Sequence, residues 1–370
     1  MQGCLLESKN AAEIFLTAVP DLSLGLADQA EALFADIRKV LQARGAHLLQ
    51  ERLFAGKSAM AAALAARGRA YGPLDDGVSP VLLAVPMASG GGIAGVQVHA
   101  VRTKETPRIA RLGGEPCGRT LTLDGLEYIA LSGLVAPEAG TVKADQGRAV
   151  FTKTAAALRE AGCSMKSVAR TWLWLGDILA WYDDLNRVRN QFFHECGLLD
   201  GDPRAIQLPA STGIGVRPAG AAECAVDAIA MTGPRASIEF FRDAGNQRSA
   251  FNYGSAFSRS SRAVTPAGKT VYVSGTAAID AAGATIFVDD PRGQIGNTID
   301  NVRAVLRDMG CGDGDVVQAI AYSKTPEVEK VFREGWADLG WPCLSVIADV
   351  CRDNLLFEVE ATACPGSSRF

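Results

Sequence analysis

Apolar residues along the chain change period in a regular way, and the changes mark out helices and strands. From Ile299, apolar side chains recur at three and four residues through Val302, Val305, Leu306 and Met309, which lays one buried stripe along a helix. In LLFEVEATA the period is two. Leu355, Phe357 and Val359 face one side and Leu356, Glu358 and Glu360 the other, the pattern of a strand with one face on a core. The same succession occurs twice in full. Residues 128–232 begin YIALSG, pass through a helix ending LREAGC, then RTWLWLGD and a second helix LNRVRNQFF, and close with PASTGIGV and AECAVDAIAM. Residues 271–365 run VYVSG, VLRDMGC, VVQAIAYSK, a helix around VEKVFREGW, PCLSVIADV and LLFEVEATA.

Leu158, Gly162 and Cys163 map onto Leu306, Gly310 and Cys311 at a constant spacing of 148 (306 − 158). Pro209 and Val226 map onto Pro342 and Val359 at 133 (342 − 209), and the change falls in the loop GLLDGDPRAIQ, where an insertion is tolerated. A fainter copy lies at the front, from FADIRKVLQARGAHLLQERLFAG through SAMAAALAARGRAY to SPVLLAVPMASGGGIAGVQVHAV, with Leu41 and Gly45 matching Leu158 and Gly162. Each copy reads helix, strand, helix, strand, turn, strand, with a leading hairpin in the later two. The expected fold is α+β, three tandem units of one sheet and two helices. Such a layer must bury its other sheet face, and three copies in one chain supply the partner. The expected units are 1–115, 116–235 and 236–370.

Composition narrows the functional classes. With 48% hydrophobic residues, 21% charged and a net charge of −4 over 370 residues, the chain reads as an ordinary globular protein with no basic patch for nucleic acid. No apolar run reaches the roughly 18 residues of a membrane span, and the N-terminus lacks a signal-peptide pattern, so a cytoplasmic location is expected. Nine cysteines are scattered without a Cys-x-x-Cys pair, and only His47, His99 and His194 are present. Reduced cysteines and no metal site are the expectation.

The third copy, from SAFNYGSAFSR through VSGTAAID, the helix at Gln294, DVVQAIAYSK and FEVEATA, resembles the Rid (YjgF) superfamily, whose founding members are imine and enamine deaminases. Those proteins are trimers with sites in the clefts between subunits, which implies a pseudo-trimeric monomer here and leaves pairing into a dimer open. The repeat layout and the helix WYDDLNRVRNQFF also resemble the chorismatases, Rid-related enzymes that hydrolyse the enolpyruvyl group of chorismate. The resemblance places the family's water-positioning, proton-moving glutamate at Glu358 of FEVEA, which also fits the chorismatase catalytic acid. Some chorismatases carry a cysteine seven residues earlier, where Cys351 stands (358 − 351). The deaminases' substrate-carboxylate arginine, two residues before a cysteine in the penultimate strand, aligns here with Cys343, so simple 2-aminoacrylate deamination is not expected.

The residues themselves support part of this. A carboxyl facing a partly dry cleft has its charged form disfavoured and can hold a proton near neutral pH, so Glu358 is a candidate general acid. Glu360, about 7 Å along the same face, reads as a salt-bridged or hydrogen-bonded structural carboxylate. In the second copy the equivalents are Ala225 and Asp227, which leaves one favoured cleft. Cys351 is either a nucleophile or a pocket wall. Tyr253, Ser255 and Arg259 could line the cleft, or form a surface hairpin. Arg170 offers a guanidinium fork for a planar acid or an inter-repeat salt bridge. Thr212 and Gly213 offer a hydroxyl and open backbone, or a strand-end turn.

Two signals are set aside. Gly90, Gly92 and Gly95 match G-x-G-x-x-G but precede a strand, so the helix-borne phosphate cradle is absent. Trp172, Trp174 and Trp181 read as core before they read as a stacking platform. The expectation is a cofactor-free acid–base enzyme acting on an enol, enolpyruvyl or enamine intermediate, aromatic or pre-aromatic, in secondary metabolism. A cyclase or dehydratase that forms an aromatic ring with the same carboxylate, and a non-catalytic small-molecule binder, are the alternatives.

Overall fold

A computed structural model describes residues 1–87, 92–200 and 206–370, apart from the side chain of Tyr253. The first unit holds β1 (Gln2–Glu7), β2 (Ala11–Ala18), α1 (Leu26–Arg44), β3 (His47–Ala55), α2 (Met60–Tyr71), β4 (Val81–Ala84) and β5 (Ile93–Thr103). The second holds β6 (Arg108–Leu112), β7 (Glu115–Leu123), β8 (Leu126–Val135), α3 (Lys143–Glu160), β9 (Val168–Leu175), α4 (Tyr182–Glu195), β10 (Ala210–Ile214), β11 (Arg217–Pro218) and β12 (Cys224–Thr232). The third holds β13 (Ile238–Phe241), β14 (Ser260–Val264), β15 (Lys269–Ala277), α5 (Pro291–Asp308), β16 (Val316–Ser323), α6 (Pro326–Gly335), β17 (Cys343–Ile347), β18 (Phe357–Ala363) and β19 (Ser368–Arg369).

Three sheets repeat one strand order: β4-β3-β5-β2-β1, β10-β9-β12-β8-β7-β6 and β17-β16-β18-β15-β14-β13. In each, the first pair is parallel and the others antiparallel. A short strand from each of the later two units crosses over to the first sheet. β11 of the second unit extends the first sheet beside β4, and β19 extends it at the other edge beside β1.

The helices stop in the same way in each copy. Gly45, Gly162 and Gly310 all have positive φ (59°, 81° and 73°), and the N–H one residue on donates to the carbonyl of Leu41, Leu158 or Leu306. The leucine–glycine signature that aligned the copies is therefore a helix-termination motif, left-handed at the glycine and anchored by a buried leucine. At the other end of α5, Asp290 accepts from the N–H of Gly293 and Pro291 opens the first turn; Thr325 and Pro326 do the same for α6.

Two features depart from the pattern read in the sequence. The first unit also has a leading hairpin, β1–β2. Every residue of β2 is buried, so it shows no polar alternation by which to recognise a strand. The chain passes from first sheet to second across residues 104–107, and the boundary expected after 115 falls at the start of β7, within the β6–β7 hairpin of the second sheet.

Each sheet covers its two helices with one face, and the other faces of all three sheets meet in a shared core that contains Phe54, Trp174 and Tyr322. The units close in a ring. Gln50 donates to the carbonyl of Leu131, Ser261 to that of Ala169, and Gln318 to those of Leu16 and Val98. Among the described residues no helix is long and apolar enough to cross a membrane.

Candidate active site

The junction of the second and third units holds a cavity of about 140 Å³. A void of about 150 Å³ accommodates one benzene ring, so the space suits a ligand about one ring in size. The second unit contributes Tyr182, Asn186 and Arg189, which recur at four and three residues along α4, together with Ser211 and Gly213 of β10. The third contributes Ser255 and Arg259 ahead of β14, Gly275 of β15, Cys351 and Arg352 ahead of β18, and Glu358.

Glu358 lies on the inner face of β18, 5% exposed. Strand register explains its space: a Cβ on Gly275 would stand 2.1 Å from Glu358 Oε1, so only glycine leaves room for the carboxyl. The Gly275 N–H donates to Thr212 Oγ1 at 3.0 Å, and Arg170 Nη2 donates to the same oxygen at 2.5 Å. Burial, reinforced by the neighbouring Glu360 and opposed by Arg170 and Arg259, pushes the Glu358 carboxyl up to about 8. At pH 7 the acid then outnumbers the carboxylate roughly tenfold.

The residues singled out from the sequence divide between the cavity and its surroundings. Glu358, Cys351, Ser255, Arg259 and Gly213 line the cavity. Burial and the nearby Glu358 push the Cys351 thiol up to about 12, so it is a neutral thiol at pH 7. Arg259 Nε donates to the carbonyl of Arg248 at 2.9 Å. Thr212 and Arg170 stand behind the cavity, not in its lining, and Arg170 Nη2 meets Glu360 Oε2 at 2.8 Å across the unit boundary. Cys343 is elsewhere: it packs on β17 against the helix-side core of the third unit, with its thiol pushed up to about 12 by burial. The side chain of Tyr253 lies outside the described residues, as does Gly90. The tryptophans are core: Trp172 and Trp174 sit between the sheets and Trp181 under the helices of the second unit.

Sequence reasoning did not single out Tyr182, Asn186, Arg189, Gly275 or Arg352. Polar residues at helical spacing on α4, and a glycine in mid-strand, were the available signals. The Tyr182 phenol is pushed up to about 12 by burial and by Cys351 and Glu358.

The other two junctions differ at the same positions. Register pairs Phe54 with Gly95, Trp174 with Ala225 and Tyr322 with Glu358, so Gly95 and Ala225 stand where Glu358 does. Facing them, Val81 and Leu344 occupy the place of Thr212. A Cβ on Gly95 would lie 2.5 Å from Leu344 Cδ1, and Val81 approaches Gly133 as Thr212 approaches Gly275. At two junctions valine and leucine thus replace the threonine, and alanine and glycine replace the residue that carries the carboxyl. Among the described residues no three His, Cys, Asp or Glu side chains gather as a metal site.

Comparison with known proteins agrees with this architecture. Residues 253–364 match the family described as Endoribonuclease L-PSP. A search of curated proteins found no match. The structure resembles a crystal structure of a chorismatase, with a TM-score of 0.58 and 21% identity over 78% of this chain and 88% of that one. A putative endoribonuclease from Thermotoga maritima aligns with 34% of this chain and 96% of its own at 21% identity and a TM-score of 0.27. A YjgF-family protein from Mycobacterium tuberculosis aligns with 34% and 98% at 23% identity and 0.27. The third unit thus carries the Rid-type family match, and the whole chain has the three-unit, chorismatase-like α+β fold.

Proposed function

We propose that this protein is an acid–base enzyme in which Glu358 delivers a proton to an enol-type substrate about one ring in size, bound between the second and third units. The observation that carries the reading is the Glu358 carboxyl, buried in the cavity wall and raised to about 8. It is a neutral acid at physiological pH, with arginines 189, 259 and 352 in the same lining. The fold likeness to a chorismatase makes an enolpyruvyl ether the most concrete substrate. In that reaction the Glu358 proton passes to the methylene carbon of the enol ether, leaving an oxocarbenium ion and a carboxylate. Water adds to the cation as the carboxylate takes its proton, and the hemiketal collapses to pyruvate and an alcohol. Acid–base chemistry of this kind requires no cofactor. Cys351, a neutral thiol, serves as cavity wall in this scheme.

The test is incubation of the protein and its Glu358→Gln variant with chorismate, following pyruvate and hydroxylated ring products by chromatography. Wild type should release pyruvate, and the variant should lose about 10²–10⁴-fold in rate. No pyruvate from wild type rejects the hydrolytic version and moves the cyclase or dehydratase reading ahead of it. Turnover that survives the exchange removes Glu358 from the chemistry.

A further inference from the structure

Glu360 follows Glu358 by two residues on the same face of β18, about 7 Å away by strand rise, and is equally buried at 5% exposure. Its oxygens are divided between two donors of the neighbouring unit: Oε2 accepts from Arg170 Nη2 at 2.8 Å and Oε1 from Trp172 Nε1 at 2.7 Å. A buried ion pair is weak grounds for stability, because desolvation offsets most of the attraction. This pair stands directly behind the candidate acid. The charged and titratable groups around Glu358 come from every element packed on it: Glu360 on β18, Tyr322 on β16, Arg170 on β9, Tyr182, Asp183 and Arg189 on α4, Arg259 ahead of β14, and Cys351 and Arg352 ahead of β18. Repulsion from Glu360 is the largest charge effect on Glu358, ahead of attraction by Arg170 and Arg259.

We propose that Glu360 is a positioning residue for Glu358: its carboxylate, anchored by Arg170 and Trp172 of the second unit, is the fixed negative charge against which Glu358 keeps its proton. The inference deepens the reading of Glu358 as the acid and rests on it. It also gives the ring of units a chemical use. The acid stands on one unit, and the donors that fix its neighbour's charge stand on the next. The corresponding position in the second unit, Asp227, also ends on a partner-unit arginine, Arg52, at 2.9 Å, but the residue two before it is Ala225, so that charge has no acid to act on.

The experiment needs no substrate, which separates its failure from that of the functional reading. Carbon-13 NMR of glutamate-labelled protein follows the side-chain carboxyls against pH, with Glu358 and Glu360 assigned by their absence from the Glu358→Gln and Glu360→Gln proteins. Exchange of Glu360 for Gln removes the repulsion and leaves Arg170 unneutralised, and both effects favour ionised Glu358. Its midpoint should fall by about one to two pH units, the size expected for a like charge at that distance in an effective dielectric of about 20. Glu360→Asp, which keeps the charge, should stay within about half a unit of wild type, a rescue that a purely structural role does not give. A Glu360→Gln midpoint equal to that of wild type overturns the proposal. So does a Glu360 resonance that titrates together with Glu358 in the unsubstituted protein, and the charge-keeping Glu360→Asp protein, which also lacks the Glu360 signal, supplies that assignment if Glu360→Gln does not fold.

Discussion

A carboxyl buried so that it stays protonated is an acid at neutral pH, and holding it there costs the fold stability. The carboxyl at Glu358 is raised to about 8 from an ordinary 4.5. Between those values the folded chain holds a proton that the unfolded chain has released, so stability falls as pH rises through this window and levels off above about 8. Glu358→Gln carries no such penalty. The variant should melt close to wild type at pH 5 and higher than wild type at pH 9, by on the order of 5 °C for a difference of a few kcal/mol; scanning calorimetry at the two pH values measures it. A melting difference that does not change with pH would mean that the carboxyl is not raised. The residue was legible because its motif, FEVEA, sits on a strand whose period fixes the inward face. Its surroundings were less so. Arg170 carries the same label whether it grips a ligand or Glu360, and only the register of β18 against the neighbouring unit decides between them. Cys343 was reached by alignment alone, and a strand neighbour of a cleft can as easily point to the helices. Gly275 counts because an absent side chain leaves room for Glu358, a relation between two strands that neither segment shows by itself.

At the scale of elements, the helix ends were the most legible feature. Leucine, three residues and then glycine recur because each first helix of a unit ends in the same left-handed turn, and that turn is set by local backbone chemistry. Gly310, with φ of 73° and nothing within 4 Å of an added Cβ, isolates the backbone cost from packing. Gly310→Ala should destabilise the protein by about 1 kcal/mol, read as a lower denaturant midpoint at unchanged slope. Gly312→Ala, equally open but extended at φ −125°, should change it by less than about 0.5 kcal/mol. Equal effects at the two positions would separate the signature from its helix-stopping role. The β1–β2 hairpin and the cavity face of α4, a helix otherwise legible, escaped notice for one reason. The strand β2 is buried on both faces and β1 shares its hairpin, while α4 mixes cavity-lining polar residues with its core stripe of Leu185, Phe192 and Phe193. Periodicity reports a boundary between water and core, and it fades where an element meets a third surface.

For the whole molecule, three fused copies allow the junctions to differ, as three identical subunits cannot. One junction keeps a cavity lined by Glu358, with Thr212 behind it. The first and second units keep the corresponding ion pair without the acid, joining Arg52 and Asp227, whose side chains are 6% and 0% exposed. Arg52 also lies 3.8 Å from the Trp172 ring centroid, and Asp227 accepts from Trp174 Nε1 at 3.1 Å and from the Gly133 N–H at 2.8 Å. Removing one partner leaves the other charge in a dry core, which costs about 3–5 kcal/mol, whereas replacing both by apolar groups is far less costly. Asp227→Ala should therefore destabilise the protein strongly, and Arg52→Met combined with Asp227→Ala should recover much of the loss, giving a coupling of at least about 1 kcal/mol in a double-mutant cycle followed by denaturant unfolding. Additive single effects would mean that the pair does not join the units, and that the apolar contacts of the shared core hold the ring without it. Recovery in the double variant would show that this junction has become a structural joint, in which charge is kept for register and not for reaction.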